Sequence, residues 1–297
     1  MKALVTGATG YVGSKLCARL LAEGWQVEAI IRAAGRPLPE PLADKVHLHS
    51  YDGSTQSLID AVATSAPDLV FHLASLFIAE HRSEQVADLI NSNVLFGTQL
   101  IEACARAGVK RFINTGTSWQ HYRSDAYDPV CLYAATKQAF EDILDFYVDA
   151  FGISAITLKL FDTYGPDDPR PKLVNLLRRH AASQEPLLMS PGEQKIDLVH
   201  IDDVCNAFLQ AARLLEGPSA VPSHQRYAVS TGQARTLREV VKAFVESTGQ
   251  NLVIRWGERH YRAREVMAPS GGGVILPGWR PQHELTRGFA EFTDRQI

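Results

Sequence analysis

The stretch TGATGYVG, Thr6 to Gly13, decides the fold, because it joins a short apolar run, Lys2 to Thr6, to a segment of helical period. Glycines at such a junction allow a tight turn and let the backbone approach a ligand closely. The helix N-terminus that follows offers N–H groups and a positive dipole end to a pyrophosphate. The glycines alone also fit an ordinary turn, but the context predicts a strand, a phosphate-binding loop and a helix.

Downstream of this loop, short apolar runs alternate with longer segments of helical period, which is the signature of β-α-β units. The candidate strands are residues 2–6, 26–31, 46–49, 69–73, 111–115 and 155–160. The candidate helices are residues 11–23, 55–65, 84–107 and 132–151. The alternation ends after Gly165-Pro166. We therefore predict an α/β fold: a Rossmann-type, doubly wound parallel sheet with a smaller, interleaved C-terminal substrate domain.

Composition limits the partners of the chain. Its 297 residues carry 30 Lys and Arg against 33 Asp and Glu, a formal net charge of −3. We expect no nucleic-acid partner, because binding a phosphate backbone needs a basic excess. The longest apolar stretch and the N-terminal one are too short for a membrane span or a secretory signal, so a cytoplasmic protein with no membrane partner is expected. Four widely spaced cysteines predict reduced thiols and no metal site.

The end of the second strand bears on the choice of cofactor. In dinucleotide-binding folds an acid there holds the ribose 2′-hydroxyl. This chain has Ile31-Arg32 instead. An arginine cannot accept a hydrogen bond from that hydroxyl, but it can pair with a 2′-phosphate. We therefore expect NADP(H), with Arg32 and Arg36 on the phosphate. NAD is the alternative, with Arg32 as a solvated loop residue.

A second motif, YAATK, places Tyr133 and Lys137 four residues apart on one face of a helix. Tyrosine has a pKa of about 10 and is a poor acid near neutrality, but a neighbouring ammonium favours its phenolate form. This spacing is common by chance in helices. In combination with the N-terminal phosphate loop, it predicts a proton-transfer pair.

These motifs resemble those of the extended short-chain dehydrogenase/reductases, the NAD-dependent epimerase/dehydratase family, nearly end to end. Further segments follow the family's order: HLAS from His72, NVLFGT from Asn93, FINTGTS from Phe112, LKLFDTYGP from Leu158 and DLVHIDDV from Asp197. The resemblance implies three catalytic roles. Thr117 would hydrogen-bond the substrate oxygen, Tyr133 would exchange the proton, and Lys137 would hold the nicotinamide ribose and lower the tyrosine pKa.

The resemblance also implies a domain division and binding residues. Residues 1–165 and about 195–216 would bind NADP, and residues about 166–194 and 217–297 would bind a nucleotide sugar. The cofactor contacts would be Gly7, Thr9, Gly10, Tyr11, Val12, Gly13, Arg32, Arg36, Asp52, Leu73, Ala74, Ser75, Asn93, Thr115, Tyr133, Lys137 and Leu160. The substrate contacts would be Ser118, Trp119, Asp162 and Arg262.

Several of these positions have structural alternatives or depart from the family's pattern. Asp52 also fits a turn residue before Gly53, and Asn93 fits a backbone cap. Trp119 also fits a packed core residue. Two positions differ from the family: Asp162 replaces a frequent Asn, and Ile196 replaces a frequent Arg.

The residues after Thr117 limit the reactions that the chain is expected to catalyse. Sugar-nucleotide 4,6-dehydratases of the family carry Asp-Glu there, and the epimerase-reductases that form fucose nucleotides carry a Cys. Ser118-Trp119 disfavours both. Net reduction of a keto sugar by NADPH and 4-epimerisation with tightly held NAD remain, and Arg32 favours reduction.

Short segments look most similar to the CDP-sugar reductases that form abequose and paratose. The resemblance therefore implies NADPH-dependent reduction of the C4 ketone of a CDP- or dTDP-linked 4-keto-6-deoxyhexose, in deoxysugar and O-antigen biosynthesis. An NAD-dependent 4-epimerase is the first alternative. A non-catalytic NADP-sensing regulator is the second, and the retained Thr117, Tyr133 and Lys137 disfavour it. By analogy with the family, residues 84–107 and 132–151 would form a homodimer interface.

Overall fold

A computed structural model describes residues 1–33, 35–183, 185–217, 222–270 and 273–292 of the chain. The strands are β1 (Lys2–Thr6), β2 (Gln26–Arg32), β3 (His47–Tyr51), β4 (Leu69–His72), β5 (Arg111–Thr117), β6 (Ser154–Leu160), β7 (Asp162–Tyr164), β8 (Leu187–Met189), β9 (Lys195–Ile196), β10 (Leu198–His200), β11 (His224–Val229), β12 (Arg235–Thr236) and β13 (Ile254–Trp256). The helices are α1 (Tyr11–Ala22), α2 (Thr55–Ser65), α3 (Val86–Ile90), α4 (Phe96–Ala107), α5 (Leu132–Phe151), α6 (Leu173–Ser183), α7 (Ile201–Glu216), α8 (Leu237–Thr248) and α9 (Leu285–Ala290).

The main sheet has seven strands in the order β11-β6-β5-β4-β1-β2-β3. Every neighbouring pair in it is parallel. Helices α1 and α7 pack on one face, and α2, α4 and α5 pack on the other. Central strands covered on both faces are apolar throughout, as in Leu69, Val70 and Phe71, which are fully buried. The predicted Rossmann-type fold is confirmed.

The order of the strands reverses between β1 and β4, where the chain leaves in one direction along the sheet and later returns in the other. In open parallel sheets, ligands bind outside the carboxyl ends of the strands at this switch point. Those ends are Thr6 of β1 and His72 of β4. The glycine loop follows directly after Thr6, so the fold places it at the expected ligand site.

The predicted strands and helices of the first half are confirmed to within two residues, with one irregularity. The segment predicted as a single helix, 84–107, contains a 3₁₀ turn (Ser83–Gln85), α3, a π-helical turn (Asn91–Leu95) and α4. Such π turns occur mostly as single turns within α-helices, often at functional sites. This one holds Asn93, which is buried.

The smaller unit contains β8, β13, α6, α8 and α9 around its own apolar cluster, with Leu177, Phe244 and Phe289 fully buried. We expected residues 217–297 to belong wholly to this unit, and that boundary is wrong for β11. This strand pairs with β6 at the edge of the main sheet. Its sequence, HQRYAV, buries only Ala228 and Val229 fully, so it lacks the continuous apolar run of a central strand. Residues 218–221, beside the expected boundary, lie outside the described residues.

Among the described residues, no helix is both long and apolar enough to cross a bilayer.

Candidate active site

The glycine loop is packed so tightly that side chains cannot be added to it. Gly7 has φ +74°, and a Cβ on it would lie 2.7 Å from the amide nitrogen of Ala74. A Cβ on Gly13 would lie 2.1 Å from the carbonyl oxygen of Gly7. The N–H of Gly10 donates to the same oxygen at 2.9 Å. The loop therefore needs glycine at positions 7 and 13, and the start of α1 comes close to the end of β4.

The start of α1 has the properties of an anion site. Gly10 is its N-cap, and no side chain of the described residues caps the first turn. Helix N-terminal N–H groups that lack side-chain caps bind phosphate readily. Thr9 is half-buried and Gly10 is exposed on this loop, whereas Tyr11 is buried with its hydroxyl donating to the carbonyl of Pro166 at 3.2 Å.

A buried hydroxyl in the same cleft supports this assignment. Thr115 Oγ1 has no hydrogen-bond partner among the described residues. Thr115 lines a cavity of about 150 Å³ that begins at Val12 of α1. Buried polar atoms normally have partners, so an unpaired one beside a phosphate-binding loop fits a polar ligand. The loop, the helix start and this hydroxyl together fit a dinucleotide.

The strand ends place the remaining predicted cofactor residues around the loop. Arg32 ends β2 with its side chain exposed and without an ion pair among the described residues, and Arg36 is also exposed. Asp52 accepts a hydrogen bond from the Ser54 N–H at 2.8 Å, and bonds from Ser54 and Ser57 hold its pKa low. The turn described as the alternative for Asp52 is therefore present.

Asn93 braces the loop that follows β4. Its amide nitrogen donates to the Leu76 carbonyl at 3.0 Å and to Thr136 Oγ1 at 2.9 Å, and its oxygen accepts from the Leu76 N–H at 2.7 Å. Ser75 Oγ also donates to this oxygen, at 3.2 Å. These bonds match the structural alternative, backbone capping. They tie Ser75 and Leu76, the residues that follow Leu73 and Ala74, to Thr136 of α5.

The hydroxyls of Ser75, Thr117 and Tyr133 converge. Thr117 ends β5 and Tyr133 lies in the first turn of α5, and both are buried. Burial raises the pKa of Tyr133 to about 12, and hydrogen bonds with Ser75 and Thr117 lower it. A phenol held this way is a proton donor that becomes more acidic as charge develops next to it.

Lys137 lies one turn further along α5 and is also buried. Burial lowers its pKa to about 8. Burial and the charge of Lys137 lower the pKa of His72 to about 3, so His72 is neutral, with its Nδ1 hydrogen-bonded to Thr6 Oγ1 at 2.9 Å. Because His72 stays neutral, Lys137 is the cation of this part of the site.

The substrate side is a cavity of about 360 Å³ that reaches into the smaller unit. All four predicted substrate residues line it: Ser118, Trp119, Asp162 and Arg262. It shares Ser118, Trp119 and Asp162 with the smaller cavity, which also reaches Thr117, Tyr133 and Leu160. Two of the predicted catalytic residues, Thr117 and Tyr133, therefore lie where the cleft beside the glycine loop meets a cavity of the right size for a small molecule, whereas Lys137 lines neither cavity.

Sequence reasoning missed two residues of this site. The Arg170 guanidinium lies 4.8 Å from the ring centre of Tyr11, and its charge lowers the pKa of Tyr133. Phe77 packs edge-on to Tyr133, with ring centres 5.0 Å apart. Neither residue belongs to a local motif, so no pattern in the sequence pointed to them.

Three cations that line the two cavities have carboxylate partners. Arg262 pairs with Glu265 at 2.8 Å and lies 4.8 Å from the ring centre of Trp119. The other two pairs are Lys172 with Asp162 at 3.6 Å and Arg170 with Asp168 at 2.8 Å. The predicted contact of Arg262 with the substrate would therefore compete with Glu265.

The chain is similar to known proteins over most of its length. The model of the NAD dependent epimerase/dehydratase family matches residues 3–227. CDP-abequose synthase of Yersinia pseudotuberculosis is 28% identical over 270 residues, 91% of this chain and 92% of the relative. UDP-glucose 4-epimerase of Mycolicibacterium smegmatis is 28% identical over 321 residues, 98% of this chain and 97% of the relative. The solved structure of MoeE5 with UDP-glucuronic acid and NAD is 28% identical, covers both chains fully and has a TM-score of 0.84.

The loop geometry leads to a first prediction. Gly13→Ala puts a methyl group 2.1 Å from the Gly7 carbonyl oxygen, so the loop must open. Strain of about 1–3 kcal/mol would weaken dinucleotide binding by roughly ten- to a hundredfold. Titration of tryptophan fluorescence with NADPH and NADH measures this. Gly217→Ala is the control, because a Cβ there has no atom closer than 3.6 Å. Unchanged affinity in folded Gly13→Ala contradicts the assignment.

Proposed function

Because the chain belongs to the NAD dependent epimerase/dehydratase family, we propose that it reduces the C4 ketone of a nucleotide-linked 4-keto-6-deoxyhexose with NADPH. The observation that carries this proposal is the position of Thr117 and Tyr133 at the junction of the dinucleotide cleft and the cavity. The next residues, Ser118 and Trp119, supply no acid or base for eliminating water. The site thus has the groups for redox chemistry at a carbonyl and a hydroxyl.

The proposed mechanism uses three side chains of the site. A nicotinamide dinucleotide bound in the cleft supplies the hydride. Tyr133 donates its proton to the carbonyl oxygen, and the Thr117 hydroxyl donates a hydrogen bond to the same oxygen as negative charge develops there. The Lys137 ammonium stabilises the resulting phenolate. These interactions are strongest when the oxygen is most negative, so they favour the transition state over the substrate.

The wall next to Tyr133 supports a 6-deoxy sugar. The Phe77 ring lies 5.4 Å from Trp119 and 5.0 Å from Tyr133, centre to centre, so an aromatic surface flanks the catalytic hydroxyl. A methyl group buries favourably against such a surface, whereas an unpaired hydroxyl there would lose hydrogen bonds to water. A CDP- or dTDP-linked 4-keto-6-deoxyhexose carries this methyl group, which is the chemistry of a deoxysugar pathway.

A second candidate, NAD-dependent 4-epimerisation, is supported by the comparisons. UDP-glucose 4-epimerase is as similar in sequence as CDP-abequose synthase, and the MoeE5 structure holds NAD. In this reaction Tyr133 would take the proton of the 4-hydroxyl and later return it. Arg32 favours the reductase over this candidate, because it replaces the acid that would hold the ribose 2′-hydroxyl of NAD.

The reaction is tested by turnover. Purified protein is first checked for bound cofactor and then given NADPH with CDP- and dTDP-4-keto-6-deoxyhexoses, and separately UDP-glucose. We expect NADPH consumption with a keto sugar, and Tyr133→Phe should lower kcat by about two to four orders of magnitude. Tyr227→Phe is the control, because its hydroxyl bonds only Gln225 among the described residues. Tightly bound NAD and interconversion of UDP-sugars without NADPH consumption would favour the epimerase instead.

The cofactor preference is tested at Arg32. Reversing its charge in Arg32→Glu removes a charge-assisted contact with the 2′-phosphate worth roughly 1.5–3 kcal/mol. We expect the KM for NADPH to rise by about ten- to a hundredfold and NADH to become the better cofactor. Arg179→Glu, an exposed residue of α6, is the control for net charge. Equal efficiency of the wild type with NADPH and NADH contradicts this proposal.

We further propose a homodimer formed through α3, α4 and α5. The segment 86–95 exposes Val86, Ile90 and Leu95, and α5, which packs against α3, exposes Phe146 at 60%. Large exposed apolar side chains on neighbouring helices mark association surfaces. We expect Phe146→Glu to sediment as a monomer at concentrations where the wild type is a dimer. Leu188→Glu, on β8, should leave the dimer intact, and a wild-type monomer would contradict the proposal.

A further inference from the structure

Glu141 is a buried carboxylate that the proposed mechanism does not use. It lies on α5 one turn after Lys137 and is fully buried. Its Oε1 accepts a hydrogen bond from Gln120 Nε2 at 2.8 Å, and its Oε2 accepts from Arg226 Nε at 3.1 Å. Burying a charge is costly unless it is paired and hydrogen-bonded, so its partners indicate what it does.

The first partner, Gln120, holds the backbone of Thr117. The Gln120 side chain is fully buried, and its Oε1 accepts a hydrogen bond from the Thr117 N–H at 3.0 Å. A Cβ on Gly116 would lie 3.0 Å from both Gln120 Oε1 and Glu141 Oε1. The backbone that carries the Thr117 hydroxyl therefore lies directly on the Gln120–Glu141 pair.

The charge of Glu141 acts on the other catalytic side. It raises the pKa of Lys137 and opposes the burial that lowers it. The other titratable and charged groups that face Glu141 or Lys137 are His72 of β4, His121 after β5, Lys159 of β6, and His224 and Arg226 of β11. Glu141 is thus a buried carboxylate in a group of bases and cations, two of which, His224 and Arg226, also bond Asp145 of α5.

We propose that Glu141 is a positioning residue for both catalytic groups. Through Gln120 it fixes the backbone of Thr117, and through its charge it keeps Lys137 an ammonium. The inference rests on the proposed function in that Thr117 and Lys137 act in the reaction. It adds a role for two residues, Gln120 and Glu141, that touch neither cofactor nor sugar in that mechanism.

Two variants separate the two effects. Gln120→Met removes the acceptor of the Thr117 N–H but keeps the charge of Glu141. It should lower kcat by about ten- to a hundredfold, with the KM for the sugar and the pH profile unchanged. Glu141→Gln keeps an oxygen for Gln120 but removes the charge. It should shift the alkaline limb of the kcat profile to lower pH by about one unit, because Lys137 then loses its proton more easily.

Matched variants on α5 test whether the charge itself is responsible. Asp145→Asn removes a carboxylate that also bonds Arg226, at 2.5 Å, but that does not contact Gln120. It should leave the alkaline limb in place. Glu141→Asp retains the charge, so the alkaline limb of its kcat profile should lie closer to the wild-type position than that of Glu141→Gln. A shift in Asp145→Asn equal to that in Glu141→Gln overturns the proposal, as does an unshifted Glu141→Gln.

A binding measurement separates this inference from the proposed reaction. NADPH is titrated without sugar between pH 6 and 9 by tryptophan fluorescence, and we expect Glu141→Gln to lose affinity at a lower pH than the wild type. This result supports the role of Glu141 even where the wild type reduces none of the sugars offered, which would refute only the proposed substrate. If Glu141→Gln does not fold, Gln120→Met carries the test, and an unchanged kcat in that variant overturns the proposal.

Discussion

The close approach of Gly7 to the end of β4 is the constraint on which the site depends. An added Cβ would lie 2.7 Å from the Ala74 nitrogen, so only glycine lets the loop touch this strand. The contact brings the start of α1 to the switch point of the sheet, where a ligand meets helix N–H groups. It also fixes the position of Ser75, the next residue after Ala74, relative to α5.

From that contact the structure extends to the catalytic helix through a few buried polar bonds. Asn93 ties the loop at Leu76 to Thr136 of α5, and Thr136 is the residue before Lys137. Gln120 and Glu141 tie the end of β5 to the same helix. Helix α5 is therefore braced at Thr136 against the loop after β4 and at Glu141 against the end of β5. Because α5 and the end of β5 are fixed to each other, the Thr117 and Tyr133 hydroxyls and the Lys137 ammonium keep their positions independently of the surrounding loops.

The sequence predicted those parts of the fold and site that are coded locally. TGATGYVG and YAATK are each a run of eight residues or fewer, and apolar runs locate the central strands. Contacts made by distant segments leave no such pattern. Arg170 contacts Tyr11, which lies more than 150 residues away in the sequence. Arg226 pairs with Glu141 from the edge strand β11, whose polar sequence does not predict a strand. Local motifs therefore identify the proposed reacting groups, whereas the residues that brace them and adjust their pKa values require the fold.

The paired cations of the cavity bear on how a chain of near-neutral charge would bind an anion. Arg170, Lys172 and Arg262 each lie beside a carboxylate, so the cavity wall has little net positive charge. A nucleotide sugar brings a diphosphate, which must draw these cations from Asp168, Asp162 or Glu265. The exchange replaces one ion pair by another, so it contributes less binding free energy than the pairing of a free cation with an anion. Binding of the proposed substrate would therefore depend on shape and on the aromatic wall of Phe77 and Trp119 more than on net charge, which is how a chain of charge −3 would accept the proposed anionic substrate.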